Sequence, residues 1–160
     1  MKEITFEDDD RIIKVTKTVV EVMWHQLQIA TNSPESGGIL VGRENMSNNN
    51  FIIEFATAPM ADDIRKRTRY IRKDKGHLNF YQDLYDKNNG IYRYVGEWHT
   101  HPEKIPRYSG IDRNNWKRIA QNDNGNDFHY HVIAGTEAIR IWKIKCRGGL
   151  HPKLLYTAYW

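Results

Sequence analysis

Apolar positions along the chain change period from one segment to the next, and those changes divide it into elements. Ile12, Ile13 and Val15 predict an opening strand. Val15, Val19, Val22, Met23 and Leu27 then recur at helical spacing, which predicts a helix over about residues 16–30. Thr31-Asn32-Ser33-Pro34 breaks it, and a strand over 39–41 is entered through Gly37-Gly38. The turn Met46-Ser47-Asn48-Asn49-Asn50 joins that strand to Phe51-Ile52-Ile53-Glu54-Phe55, which is rich in β-forming types. Leu78, Tyr81, Leu84 and Tyr85 mark a second helix closing at Asn88-Asn89-Gly90. A strand over 92–99 follows, then a third helix from near Ser109 to the polar loop 121–127. Strands over 128–134, 138–145 and 154–159 complete a β-rich end. The pattern is that of a mixed α/β (α+β) fold, and 160 residues suit one domain spanning the whole chain.

Composition narrows the setting. Aliphatic runs such as Ile39-Leu40-Val41 fall far short of the roughly 20 apolar residues a membrane-spanning helix needs, so no membrane partner is expected. The first ten residues end in Glu7-Asp8-Asp9-Asp10, acid where a signal peptide has a basic start and an apolar stretch, and a cytoplasmic location is expected. A single cysteine, Cys146, excludes an internal disulfide and a multi-cysteine zinc cluster, so any metal must be held by histidine and carboxylate. The net charge of +4 is uneven, because Arg65-Lys66-Arg67, Arg69, Arg72, Lys73 and Lys75 crowd one stretch.

The chemistry concentrates in Glu97-Trp98-His99-Thr100-His101-Pro102 and, six residues later, Ser109-Gly110-Ile111-Asp112. Residues two apart on a strand share a face, so His99 and His101 present imidazoles from backbone positions about 6.6 Å apart. Pro102 cannot continue a ladder and turns the chain toward the next helix. Ser109 is a favourable N-cap, which puts Asp112 in the first helical turn, where an anion is favoured and can be aimed back at the strand. Two histidines and one aspartate leave the fourth tetrahedral position of zinc open for water, the arrangement of a catalytic site.

The spacing His99-x-His101-Pro102-x6-Ser109-x2-Asp112 resembles the JAMM signature of the JAB/MPN/Mov34 family, and Glu35-Ser36-Gly37-Gly38-Ile39-Leu40-Val41-Gly42 resembles that family's upstream glutamate segment. The resemblance implies a cytidine-deaminase-like fold, a curved mixed sheet flanked by about three helices. It also implies one zinc ion on His99, His101 and Asp112, with Glu35 as general base and Ser109 as oxyanion donor. The block Gly96-Glu97-Trp98-His99-Thr100-His101-Pro102 is similar to that of bacterial JAB-domain deconjugating enzymes found beside ubiquitin-activating-like and conjugating-like proteins in CBASS-type antiphage systems. Ala56 through Asp74 resembles their Arg-rich middle segment. A departure is Pro106-Arg107-Tyr108-Ser109, where that group commonly has Pro-Ser-Pro-Ser. The implied activity is hydrolysis of the amide bond between the C-terminus of a ubiquitin-like or nucleotidyltransferase-type protein and a target amine.

Blander readings stand beside these. The family also contains non-catalytic scaffolds, but such scaffolds typically lose ligands and this chain keeps all of them. His129-Tyr130-His131 repeats the His-x-His spacing without a proline exit or a downstream Ser-x-x-Asp, and is expected to be structural. Cys146 has no obvious histidine partner for a nucleophile. The aromatic residues are not arranged as an RNA-binding motif, so nucleic acid is not an expected partner. The alternation of Arg67-Thr68-Arg69-Tyr70-Ile71-Arg72 suits either a charge-protected edge strand or an edge along which a substrate tail lies, with Arg67 and Arg69 as substrate contacts.

Overall fold

The computed structural model describes residues 1–149 and 151–160, and among them the chain forms ten strands and three helices. In chain order these are β1 (Ile4–Asp8), β2 (Arg11–Val15), α1 (Lys17–Trp24), β3 (Gly37–Glu44), β4 (Phe51–Ala56), β5 (Ile64–Lys66) and β6 (Arg69–Ile71). They are followed by α2 (Gly76–Lys87), β7 (Arg93–Thr100), α3 (Gly110–Gln121), β8 (Phe128–Ala134), β9 (Ala138–Lys145) and β10 (Lys153–Tyr159). Eight strands make one mixed sheet in the order β1-β2-β4-β3-β7-β8-β9-β10, while β5 and β6 form a separate hairpin. The β2–β4 and β7–β8 pairs are parallel and the others antiparallel. The fold is the α+β arrangement expected, a curved mixed sheet with three helices.

Alternation along the strands sorts side chains to two faces. One face, with Leu40, Trp98, Val132, Tyr130 and Ile141, closes over α1 through Val19, Val20 and Met23. The sheet curls around this core until its ends meet, with Phe6 of β1 stacked on Tyr156 of β10 at 5.6 Å. On the other face α3 packs Trp116 and Ala120 against Ile133, Trp142 and Ile144, and α2 covers Ile39 and Val41 with Tyr81 and Leu84. Both histidines of the motif project from this second face, beside α3.

The helix expected over 16–30 ends at Trp24. Gln26 and Leu27 bond three residues back, to Met23 and Trp24, which tightens and closes the last turn. The chain must leave the helix there because Gln28 is buried and bridges separate segments. Its amide donates to Ser33 O at 2.9 Å and Arg67 O at 2.8 Å, and its oxygen accepts the Thr100 hydroxyl at 3.2 Å. Strand β1 falls in the stretch the sequence presents as an acidic N-terminus. Ile4, Phe6 and Asp8 all point inward, and the third inward position is an ion, which breaks the apolar alternation. Asp8 is satisfied by the Tyr130 hydroxyl at 2.7 Å and by Lys143 Nζ at 2.7 Å.

A bulge in β7 aims the motif. Leu40 faces Gly96 but Val41 faces Tyr94, so one extra residue is inserted just upstream of the histidines. Gly96 has φ +143, and a Cβ there would lie 1.8 Å from the Tyr130 carbonyl oxygen of β8. No other residue fits that approach. Gly96→Ala is expected to destabilise the fold by about 3 kcal/mol or more, from backbone strain and overpacking together. Urea unfolding of both proteins measures it, and equal midpoints would remove the bulge from this account.

Candidate metal centre

The register of β3 against β7 builds half of the site. Gly37 pairs with His99, and the ladder continues past the strand end, where Thr100 N–H donates to Ser36 O at 2.8 Å. Extended by one more residue, the same register sets Glu35 across from His101, and opposite residues of an antiparallel pair share a face. Glu35, His99 and His101 therefore converge, each buried. Gly37, between them, has no side chain, and the ring of Tyr70 occupies that space, 2.5 Å from where a Cβ would lie. β7 continues parallel to β8, and His101 N–H donates to Ala134 O at 3.0 Å, which holds the second histidine even though it lies beyond the strand.

The other half comes from the β7–α3–β8 crossover. Ser109 is the N-cap of α3 in a reciprocal capping box: Ser109 N–H donates to Asp112 Oδ2 at 2.6 Å and Asp112 N–H donates to Ser109 Oγ at 3.1 Å. The box fixes the Asp112 carboxylate so that Oδ1 lies 3.2 Å from His99 Nε2 and Oδ2 lies 3.3 Å from His101 Nε2. The two Nε2 atoms are 3.0 Å apart. Ligand atoms around zinc at 2.0–2.1 Å lie about 3.3 Å from one another, so this three-residue triangle, whose carboxylate corner presents one oxygen to each imidazole, is of a size to hold one such ion. His101 Nδ1 faces Glu103 Oε2 at 3.5 Å, on the side of the ring away from the centre.

Electrostatics follow from this packing. Burial pushes the Glu35 carboxyl above its ordinary value, against the lowering effect of His99 and His101 and of the Tyr70 main-chain N–H, while Asp112 adds to the rise. For Asp112 burial acts upward too, but hydrogen bonds from His101 and His99 outweigh it and hold the carboxyl well below the usual range. His101 is lowered by burial and raised more by Asp112, Glu35 and Glu103, so its net shift is upward.

The triangle opens into a cleft of about 480 Å³ lined by Glu35, His99, His101, Ser109 and Asp112. Its walls are the β5–β6 hairpin and α3. Arg69 lines it, whereas Arg67 sits in the hairpin turn and directs its guanidinium to Ala30 O and Ser33 O at 3.4 and 3.3 Å. Arg72 lines the cleft but is paired with Glu97 at 2.9 Å. Sequence reasoning missed Glu103, whose only signal was its place directly after the motif proline, and Tyr70, which carried no signal. His131 stacks on Trp116 at 4.7 Å, buried in the core. A second group, Asp123, His129 and Cys146, has potential ligand atoms close together. There His129 Nε2 and Asp123 Oδ2 are 2.5 Å apart, the separation of a hydrogen bond and closer than two ligands of one ion. Burial pushes the Cys146 thiol up to about 11, which leaves it protonated at neutral pH.

The family model for prokaryotic homologs of the JAB domain matches residues 16–145. Proteins named "CD-NTase/cGAS isopeptidase" are similar to the chain over most of its length. The protein from Pseudomonas aeruginosa (strain BWHPSA011 / Pa011) is 33% identical over 135 residues, 84% of each chain. That from Escherichia coli (strain TW11681) is 38% identical over 117 residues, 72% of this chain and 74% of its own. That from Vibrio cholerae serotype O1 (strain ATCC 39315 / El Tor Inaba N16961) is 31% identical, over 76% and 77%. The solution structure of protein DSY2949 from Desulfitobacterium hafniense shares the fold, with a TM-score of 0.57 at 21% identity over 87% of this chain and 88% of its own.

Removing any corner of the triangle leaves too few ligands for tight binding. His99→Ala, His101→Ala and Asp112→Ala are each expected to lose stoichiometric zinc by elemental analysis, while Ser109→Ala keeps it and costs about 1 kcal/mol of stability through the lost cap. Full zinc occupancy in all three ligand variants would sink the assignment.

Proposed function

The chain belongs to the family of prokaryotic homologs of the JAB domain, and from that premise we propose that it is a zinc-dependent isopeptidase of the JAMM type, releasing a protein conjugated through its C-terminus to a target amine. The relatives' names point to a CD-NTase-type protein as the conjugated substrate. The reaction would reverse the work of ubiquitin-activating-like and conjugating-like enzymes in a CBASS antiphage system. The observation that supports it most is the placing of a buried glutamate across from His101, beside a three-ligand triangle with an open side toward the cleft.

Zinc held by His99, His101 and Asp112 would supply a Lewis acid that polarises the scissile carbonyl and eases deprotonation of water. Glu35 takes the proton of the attacking water as its oxygen bonds to the carbonyl carbon. The same carboxyl then gives that proton to the nitrogen as the C–N bond breaks, leaving a free carboxylate and a free amine. Burial raises its pKa, which strengthens the carboxylate as the base that takes the proton. Ser109 Oγ accepts the Asp112 N–H, so its own O–H stays available for the oxygen that gains charge. The substrate tail runs along the hairpin edge past Arg69, which draws in acidic groups of the conjugate.

The zinc-loaded protein is expected to cleave a C-terminal conjugate and to stop when zinc is chelated. Glu35→Gln should keep its zinc and lose turnover by at least about a hundredfold, and near-normal turnover would remove Glu35 from the mechanism. Reversing Arg69 to Glu should raise KM for the protein conjugate more than for a short peptide with the same scissile bond, with zinc content unchanged. The wild type's advantage should shrink with added salt, since exposed charges are screened within about 8 Å at physiological ionic strength. Equal KM values on the conjugate at low salt would return this stretch to a solvated edge.

A further inference from the structure

One carboxylate outside the ligand set gathers more hydrogen bonds than any role in solubility needs. The Asp63 side chain is fully buried and accepts from five donors. Oδ2 takes the Met60 N–H, the Tyr70 hydroxyl and His77 Nε2, each at 2.8 Å. Oδ1 takes the Lys73 N–H at 2.8 Å and the Asp74 N–H at 3.0 Å. Met60 lies before β5, and Lys73 and Asp74 lie after β6, so a single anion ties together the two feet of the hairpin. Behind it His77 is also fully buried, and its Nδ1 lies 2.6 Å from Thr57 Oγ1. Thr57 Oγ1 already accepts the Ile39 N–H at 2.9 Å. Every group is satisfied when Nε2–H donates to Asp63 and the Thr57 hydroxyl donates to Nδ1. The hairpin is thereby anchored through His77 and Thr57 to β3.

The free end of the hairpin meets Glu35. Glu35 N–H donates to Lys66 O at 2.8 Å, and Arg65 Nε donates to Glu35 O at 2.9 Å. A second Arg65 nitrogen donates to Ser36 Oγ. The Tyr70 ring fills the gap above Gly37, two residues from Glu35. Glu35 lies beyond the last β3–β7 ladder bond, and its own main-chain N–H and C=O are both taken by the hairpin, which therefore fixes its backbone. We propose that Asp63, through the Thr57–His77–Asp63–Tyr70 network, is a positioning residue that holds the β5–β6 hairpin as a rigid clamp on the general base Glu35. The inference rests on the isopeptidase reading for the identity of Glu35 as base, and on geometry alone for the clamp.

Asp63→Asn keeps the shape but puts an N–H₂ where acceptors are required. It is expected to lower kcat on a protein conjugate by at least about tenfold while KM stays within about twofold and zinc content is unchanged. Tyr70→Phe keeps the ring, removes one of the five donors and should move kcat in the same direction by less. On a Glu35→Gln background the residual rate should be insensitive to Asp63→Asn, because a residue that acts through Glu35 has nothing left to position. Equal fold losses on both backgrounds, or zinc lost in parallel with kcat, would overturn the proposal. Amide exchange judges the clamp without any activity. In Asp63→Asn the amides of Glu35 and of 64–71 should exchange faster, while those of Gly37–Glu44 and Arg93–Thr100 do not. A zinc-loaded wild type that cleaves no conjugate defeats the isopeptidase reading, whereas unchanged exchange at Glu35 defeats the clamp.

Discussion

The antiparallel register between β3 and β7 is the constraint on which the rest of the site depends. Main-chain hydrogen bonds set it, and once Gly37 faces His99 a residue two positions before Gly37 must stand across from His101 on the same face. A slip of one residue would turn Glu35 away from both histidines. The bulge at Gly96 protects that register from the other side. It absorbs an extra residue where the β8 backbone comes too close for any side chain, so the histidines downstream stay in phase with β3.

Around that pairing each chemical group is oriented by something that already had a structural reason to exist. Asp112 is aimed by the cap that starts α3. His101 is held by a ladder bond to Ala134 beyond the end of its strand and faced by Glu103 on its outer nitrogen. Glu35 is held by the β5–β6 hairpin. Side chains fixed in this way lose little freedom when they bind an ion or meet a transition state, which is how preorganisation lowers a barrier. The polar groups concerned are nearly all paired within the protein, so their burial is not left uncompensated.

The basic run between residues 65 and 75, which the sequence shows as one block of charge, divides into separate roles in three dimensions. Arg65 braces the Glu35 carbonyl and the Ser36 hydroxyl, Arg67 closes the loop at Ala30 and Ser33, and Arg72 neutralises Glu97. Only Arg69 of the pair expected to touch substrate lines the cleft. Alternation along an edge strand could not reveal this, because Arg67 lies in the two-residue turn and not in a strand.

The strands of the central sheet from β2 onward, the second and third helices, the cap at Ser109 and the four groups Glu35, His99, His101 and Asp112 were all legible in the chain. Their signals are local: period two, period three to four, turn residues, and a motif whose spacing is short enough for one strand and one helical turn to enforce. What lay outside local reach needed the fold. The helix after Val15 stops at Trp24 because Gln28 must reach Ser33, Arg67 and Thr100, and β1 hides behind Asp8, an inward charge that is acceptable only once Tyr130 and Lys143 arrive from more than a hundred residues away. Asp63 and His77 carried no motif, since their roles exist only where two feet of a hairpin and the start of a strand come together. The sequence by itself determined which residues make up the motif. Only the tertiary structure decided which residues hold them in place, because a buried polar group is tolerated through partners that distant segments of the chain supply.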